Sequence, residues 1–154
     1  MDLQLSRRGD YAVRAAIALA RDEGNGFTKI REVAERMGIP LPYTPQILKI
    51  LANAGIAEAK AGREGGYRLK RLASEVSLLE IIEAAEGSLR ASRCTLRGEP
   101  CVWESPCPVH QAWVTASEAL RGELSMTTLA TIAAMDGARP HMAAVSATAS
   151  GKAD

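Results

Sequence analysis

The sequence lacks the features of a membrane-spanning or secreted protein. None of its apolar runs approaches the roughly 18 residues that a bilayer-crossing helix needs, and the longest tight stretch is Ala15–Ala20. The first residues show no basic segment followed by an apolar core and a cleavage site, which argues against a secretory signal peptide. We therefore expect a cytoplasmic protein.

The sequence also has few of the residues that most enzymes use. Its only histidines are His110 and His141, and it contains no flavin or nucleotide motif and no Ser-His-Asp arrangement. Three cysteines are an odd number, which disfavours a disulfide framework in a cytoplasmic protein. We therefore expect a protein that is not an enzyme.

With a net charge of +1, the protein lacks the strong basic excess typical of nucleic-acid-binding proteins, but its positive charge is concentrated in one half of the chain. Residues 1–75 have 13 Lys and Arg against 9 Asp and Glu, whereas residues 76–154 have 6 against 9. Within the basic half, residues 60–71 hold five cations and one acid. Such a cluster attracts phosphate whatever the total charge, although an isolated cluster is more often a solvated surface.

The basic half is predicted to begin with three helices, the last two joined by a tight link. Apolar residues recurring every three or four positions predict helices at 6–21, at 28–38 with Thr28 as N-cap and Gly38 as stop, and from Tyr43 or Pro45 to Ala54. The last two have the layout of a helix-turn-helix. The third helix carries amides and a cation on one face, which suit base edges and phosphate.

A basic hairpin follows these helices directly. Residues 56–60 and 67–70 alternate with period two, and three glycines lie between them. Arg63 at the tip suits a minor groove, whose negative potential favours a guanidinium. This order of helices and hairpin predicts a DNA-binding winged helix. The residues expected to contact DNA are Thr28, Tyr43, Thr44, Gln46, Lys49, Asn53, Lys60, Arg63 and Arg68.

The cysteines lie in a proline-containing segment, residues 88–109, with gaps of six and five residues between them. Cys94, Cys101 and Cys107 could therefore converge on one metal centre. Structural zinc usually takes paired cysteines about two to four residues apart, so the wider gaps favour an iron-sulfur cluster. A zinc site of three cysteines and one histidine, and three unliganded thiols, are the alternatives.

Helices are predicted on both sides of the cysteine segment. A capping box at 77–80 predicts a helix at 78–86. The helix at 109–124 has an apolar face too broad to leave in water, so it packs either on the winged domain or on a second copy of the chain. A last short helix is predicted at 128–135.

Three stretches together carry a family resemblance: the opening Leu5–Arg14, the wing Gly62–Leu69 and the three-cysteine segment. They resemble the Rrf-type winged-helix regulators, whose members include IscR, NsrR and RirA. The resemblance covers roughly residues 1–134. It implies a homodimer with the helix at 109–124 as its seam, a double-stranded DNA operator as partner, and transcriptional control in which an iron-sulfur cluster sets operator affinity.

By the same resemblance, Cys94, Cys101 and Cys107 match the cluster cysteines, and two residues compete for the fourth ligand position. His110 matches the histidine of IscR-like members, which implies a [2Fe-2S] cluster. Asp10 matches the aspartate that NsrR-like members offer from the partner subunit, which implies [4Fe-4S]. We favour His110 and [2Fe-2S] because a ligand near the cysteines costs less ordering entropy. Asp10 can equally be an acid that interacts with its helix dipole.

The sequence departs from the family in its expected DNA-reading elements. Pro42 and Pro45 stand where IscR-like members carry Ser and Glu, and Ala61 stands where an Arg usually precedes the wing glycine. The operator sequence therefore cannot be transferred, and we assign the wing contact to Arg63.

The sequence thus predicts a mainly α fold with a small β-hairpin wing, a winged helix-turn-helix plus a long dimerisation helix. Residues 1–87 form the DNA-binding domain, 88–109 the cluster-binding loop, 110–135 the dimerisation helices and 136–154 a disordered tail. The predicted function is a transcriptional repressor whose operator affinity is controlled by a cluster sensing iron, redox or nitric oxide status. The alternatives are a zinc-stabilised or cluster-free regulator, and a small iron-sulfur redox protein.

Overall fold

The computed structural model describes residues 4–89, 98–99 and 107–136, which form a mainly helical fold with one antiparallel hairpin. The elements are α1 (Arg7–Arg21), α2 (Ile30–Met37), α3 (Thr44–Asn53), β1 (Ala57–Lys60), β2 (Gly66–Leu69), a 3-10 helix (Ala73–Glu75), α4 (Leu78–Glu86), α5 (Pro108–Met126) and α6 (Leu129–Asp136). This architecture confirms the predicted fold class. In the described part of the chain, no helix is long and apolar enough to cross a membrane.

The central element is α1, whose inner face consists mostly of small side chains. Because alanines let helix backbones approach closely, α2, α3, α4 and α6 all pack against this one helix. Ser6 caps its start by accepting a hydrogen bond from the Gly9 backbone N–H at 3.3 Å. The residues of α1 that are at most 1% exposed are Ala12, Ala15, Ala16, Ile17, Ala18 and Leu19.

The helix-turn-helix forms as predicted, with one correction at the start of α2. Thr28 is not its N-cap, because the Thr28 backbone pairs with Tyr67 of β2 through N···O distances of 2.8 and 2.9 Å. Lys29 occupies the N-cap position instead, and its backbone N–H donates to the Glu32 carboxylate at 3.1 Å. The predicted stop is confirmed, since Gly38 adopts the left-handed conformation with φ of 61°.

The wing is a short hairpin in which β1 and β2 pair antiparallel, with Lys60 opposite Gly66. Two of its glycines are required by close backbone approach. A Cβ on Gly65 would lie 2.0 Å from the Lys60 carbonyl oxygen, and one on Gly66 would lie 2.3 Å from the Thr28 carbonyl oxygen. The wing is therefore held against the segment that precedes α2.

The predicted capping box at the start of α4 is confirmed. The Ser77 hydroxyl accepts from the Glu80 backbone N–H at 3.2 Å, and the Ser77 backbone N–H donates to the Glu80 carboxylate at 2.9 Å. Partial burial raises the pKa of Glu80, but hydrogen bonds from Ser77 and Arg71 lower it by more, so its pKa lies below the usual value.

The last helix, α6, belongs to the winged domain rather than standing apart with α5. The backbone N–H of Leu129 donates to the Val76 carbonyl at 2.8 Å, and the Leu129 side chain is fully buried. Asp136, which the sequence assigns to the tail, is the last residue of α6 and pairs with Arg21 at the end of α1. Residues 137–154, the remainder of the predicted tail, lie outside the described residues.

In contrast, α5 is the longest helix and none of its residues is buried within the chain. It packs along α4 and leaves apolar side chains uncovered. Val109 is 43% exposed, Leu120 41% and Met126 72%.

We predict that Leu129→Ala destabilises the domain by about 2–5 kcal/mol, because it leaves a cavity between α6, α1 and the start of α4. Thermal unfolding followed by circular dichroism measures this loss. Met135→Ala on the same helix is the matched control: its side chain is 65% exposed, and we expect a change of at most about 0.5 kcal/mol. Equal stabilities for the two variants would contradict the packing of α6.

Candidate nucleic-acid interface and cysteine segment

The polar face predicted for α3, the recognition helix of the helix-turn-helix, is exposed to solvent. Gln46, Lys49 and Asn53 are all exposed on α3. The opposite side of the helix packs into the core, where Ile47, Leu48 and Leu51 are at most 3% exposed. Because the inner side is fixed by packing, the orientation of the outer side is fixed as well.

Tyr43 and Thr44 at the start of α3 are both predicted to contact DNA, but their surroundings in the structure differ. Tyr43 is 57% exposed, and its ring packs against Tyr11 of α1 with centroids 6.4 Å apart. Thr44 is fully buried, and its hydroxyl donates to the Pro40 carbonyl at 3.2 Å. Tyr43 can reach a ligand at this end of α3, whereas Thr44 holds the turn between α2 and α3.

Thr28 also has a structural role in the described chain. Its side chain is 4% exposed, and its hydroxyl donates to the Asp22 carboxylate at 2.7 Å. Partial burial raises the pKa of Asp22, but hydrogen bonds from Arg36 and Thr28 lower it by more, so its pKa lies below the usual value. Asp22 thereby links the end of α1 to the segment before α2 and to α2 itself.

The two cations on the wing strands have different surroundings from the cation at its tip. Arg68 pairs with Glu58 directly across the hairpin at 2.6 Å and lies 4.6 Å from the Phe27 ring centroid. The Lys60 ammonium also lies over the Phe27 ring, 5.6 Å from its centroid. Arg63 is exposed, and its backbone carbonyl accepts a hydrogen bond from the Lys29 side chain. Phe27 and Lys29 therefore position the wing, and neither is among the residues predicted from the sequence.

Ion pairing divides the basic side chains into two groups. Arg14, Arg21, Arg36, Arg68, Arg71 and Arg121 form ion pairs with acids. Among the described residues, no ion pair is formed by Arg7, Arg8, Lys29, Arg31, Lys49, Lys60, Arg63 or Lys70. The second group is the one available to phosphates.

Arg7 and Arg8 belong to this group but are not among the predicted DNA contacts. Both are exposed in the first turn of α1, three and four positions before Tyr11 on that helix. Since Tyr11 packs against Tyr43, this basic turn lies beside the start of α3. The adjacent pair of arginines at a helix start was the available signal.

Asp10, the alternative fourth ligand, is already bound within the chain. Its two carboxylate oxygens each lie 3.0 Å from a guanidinium nitrogen of Arg14, one helical turn further along α1. Arg14 is 9% exposed and also donates to the Met37 carbonyl at the end of α2. Withdrawing Asp10 to ligate a metal would remove this carboxylate from a buried cation.

Of the predicted metal ligands, Cys107 and His110 are the pair that the described residues bring together. Cys107 is the N-cap of α5 and His110 lies three positions later, so both face one side of its first turn. Both are half-buried, and no hydrogen bond to either side chain is formed by the described residues. A thiol and an imidazole in this position fit a soft metal centre. Cys94 and Cys101 lie outside the described residues.

Comparison with known proteins gives one consistent family. Residues 5–135 match Rrf2, described as an iron-dependent transcriptional regulator. The HTH-type transcriptional regulator IscR of Klebsiella pneumoniae strain 342 is 34% identical over 127 residues, covering 82% of this chain and 77% of IscR.

Solved structures give the same result. CymR, the global cysteine regulator of B. subtilis, matches with a TM-score of 0.72 and 27% identity over 87% of this chain and 98% of CymR. T. potens IscR matches with a TM-score of 0.66 and 26% identity over 100% of this chain and 95% of IscR. These relatives are transcriptional regulators rather than enzymes, and this chain belongs to the Rrf2 family of transcriptional regulators.

Proposed function

We propose that this Rrf2-family regulator is a homodimeric repressor whose operator affinity is set by an iron-sulfur cluster held by Cys94, Cys101, Cys107 and His110. The observation that carries the proposal is the placement of Cys107 and His110 on the first turn of α5, the helix with the uncovered apolar face. The metal ligands and the dimer seam would then share one rigid element.

The DNA-contacting surface would combine the recognition helix, the wing and the start of α1. Gln46, Lys49 and Asn53 would face the major groove, since amides and amines suit base edges there. Arg63 at the wing tip would reach the neighbouring backbone or minor groove. Tyr43, Lys60, Arg7 and Arg8 would complete the contact with phosphates. Thr28, Thr44 and Arg68 would support this surface without touching DNA.

The dimer seam would be the exposed stripe of α5. Its uncovered small and apolar residues are spaced at helical intervals, a pattern that fits burial against a second copy. A two-fold dimer would place two recognition helices against half-sites about 34 Å apart, one turn of DNA. These residues are Val109, Ala112, Ala116, Ala119 and Leu120.

Control of DNA binding would run along packed helices. When bound, an iron-sulfur cluster would link three thiolates and one imidazole and respond to oxidation or nitric oxide. Cys107 and His110 would transmit the position of the cysteine segment to the start of α5. Helix α5 packs on α4, and α4 packs on α1 and α3. A shift of α5 would therefore alter the spacing of the two recognition helices in the dimer.

The second candidate is a regulator without a cluster, in which the cysteines act as thiols. It is favoured by the fold similarity to CymR, which is named a global cysteine regulator. Metal and sulfide analysis of the anaerobically purified protein separates the two, because the cluster proposal requires both iron and acid-labile sulfide.

We expect Lys49→Ala and Arg63→Ala each to weaken binding to an operator that the protein selects from a random DNA library. Loss of one phosphate contact lowers the slope of log affinity against log salt by about one, and titrations at several salt concentrations measure this slope. Arg36→Ala is the control, because Arg36 is paired with Asp22 at 2.6 Å on the same domain. The DNA assignment is wrong if all three proteins bind alike.

For the fourth ligand, we expect His110→Ala to lose or shift the visible absorption of the cluster and Asp10→Asn to retain it. Asparagine removes the anionic ligand but keeps an oxygen that can accept a hydrogen bond from Arg14. Anaerobic absorption spectra and iron content of matched preparations measure the outcome. The reverse pattern, with Asp10→Asn losing the cluster, would transfer the ligand role to Asp10.

A further inference from the structure

Glu83 on α4 joins three separate parts of the chain. Its carboxylate accepts a hydrogen bond from the Leu89 backbone N–H at 3.0 Å and from the side chain of Ser88. It also forms an ion pair with Arg121 of α5. Leu89 begins the stretch that leads to Cys94, whereas Arg121 lies in the helix that begins at Cys107. Glu83 thus binds both the entry to the cysteine segment and the helix that follows it.

The two main contacts share a single atom. The Oε1 oxygen of Glu83 is the acceptor for the Leu89 N–H and for a guanidinium nitrogen of Arg121. A displacement of Leu89 therefore changes the environment of the oxygen that holds Arg121. Because the two donors share one acceptor, a change in one hydrogen bond alters the other.

The environment makes this coupling stronger than an ordinary surface ion pair. The Glu83 side chain is 27% exposed and that of Arg121 is 21% exposed, so solvent screens the pair only in part. Partial burial raises the pKa of Glu83, but the Leu89 N–H, Arg121 and Ser88 lower it by more, so its pKa lies below the usual value. Glu83 is therefore an anion at neutral pH, and its interaction with Arg121 is that of two full charges.

We infer that Glu83 is the positioning residue that couples the cysteine segment to α5, and thereby to operator affinity. The inference rests on the proposed function, because it names how the state of the segment reaches the dimer helix. Movement of Ser88 and Leu89 would loosen or tighten the Glu83–Arg121 pair and let α5 shift against α4.

The test measures operator affinity of each protein in two states, purified anaerobically and after removal of iron with a chelator and mild oxidant. For wild type we expect the two affinities to differ. In Glu83→Gln and Arg121→Gln we expect the ratio of the two affinities to move toward one by about fivefold or more, with cluster content unchanged. In the double variant the affinity ratio should be reduced no more than in either single variant, because both substitutions break the same Glu83–Arg121 ion pair.

Hydrogen exchange gives a readout that does not depend on DNA or on the cluster. The Leu89 amide should exchange faster in Glu83→Gln than in wild type, since a neutral amide is a weaker acceptor than a carboxylate. Arg71→Gln is the matched control. It breaks the Arg71–Glu80 ion pair one turn earlier on α4 but does not contact residues 88–89 or α5, so the affinity ratio should stay at the wild-type value.

A charge-swapped double variant, Glu83→Arg with Arg121→Glu, separates coupling from simple stabilisation. It can restore the ion pair between α4 and α5, but a guanidinium cannot accept the Leu89 N–H. We expect its melting temperature to recover relative to the single substitutions while the affinity ratio stays reduced.

Two outcomes would overturn the inference, and they are distinguishable. If wild type shows a difference between the two states and Glu83→Gln retains that difference in full, the positioning role is wrong and the proposed function stands. If wild type binds its operator equally well in both states, cluster control itself is wrong and the inference falls with it.

Discussion

The close packing of helices around the alanine-rich face of α1 is the constraint on which the rest of the structure depends. A large side chain at Ala12, Ala15 or Ala16 would push away α2, α3, α4 or α6, because all four pack on this one helix. Through this contact α1 connects the reading elements, α2 and α3, to α4, which carries α5. A rotation of α4 would therefore displace the recognition helix, α3. A transcriptional regulator whose sensing site is remote from DNA requires a connection of this kind.

The cations of the protein fall into two groups, those paired with acids and those without an acidic partner in the described chain. Cations that join elements are paired with acids, as in Arg36 with Asp22, Arg71 with Glu80 and Arg121 with Glu83. Cations at the start of α1, on the outer face of α3 and at the wing tip form no such pairs in the described chain. Net charge near zero is thus compatible with DNA binding, because many cations are neutralised within the fold and others remain unpaired on α1, α3 and the wing.

Local signals in the sequence predicted most of the fold. The capping box at Ser77 and the stop at Gly38 each act within a few residues, so their consequences can be read from the sequence. The burial of Thr28 and Thr44 could not be predicted from the sequence, because it depends on the strand and the turn that pack over these side chains. The N-cap of α2 was misassigned for the same reason: Thr28 pairs with Tyr67, far along the chain.

At the candidate sites, too, some contacts could be predicted from local spacing and others depend on the tertiary structure. Asp10 and Arg14 stand four positions apart on one helix, so their pairing was accessible from spacing alone, whereas Arg68 with Glu58 requires the register of the hairpin. The contact between Glu83 and Arg121 joins helices on opposite sides of the cysteine segment, and no local pattern marks it. Family resemblance supplied the three cysteines proposed as ligands, and the structure adds the position of Cys107 and His110 on the helix proposed as the dimer seam.

Native mass spectrometry of the anaerobically purified protein tests the central claim, an iron-sulfur centre in a homodimer, most directly. The account predicts a dimer that carries, for each chain, the added mass of one cluster of two irons and two sulfides, and loses it when the protein is denatured. A dimer with one zinc per chain, or a chain with no added mass, would contradict it.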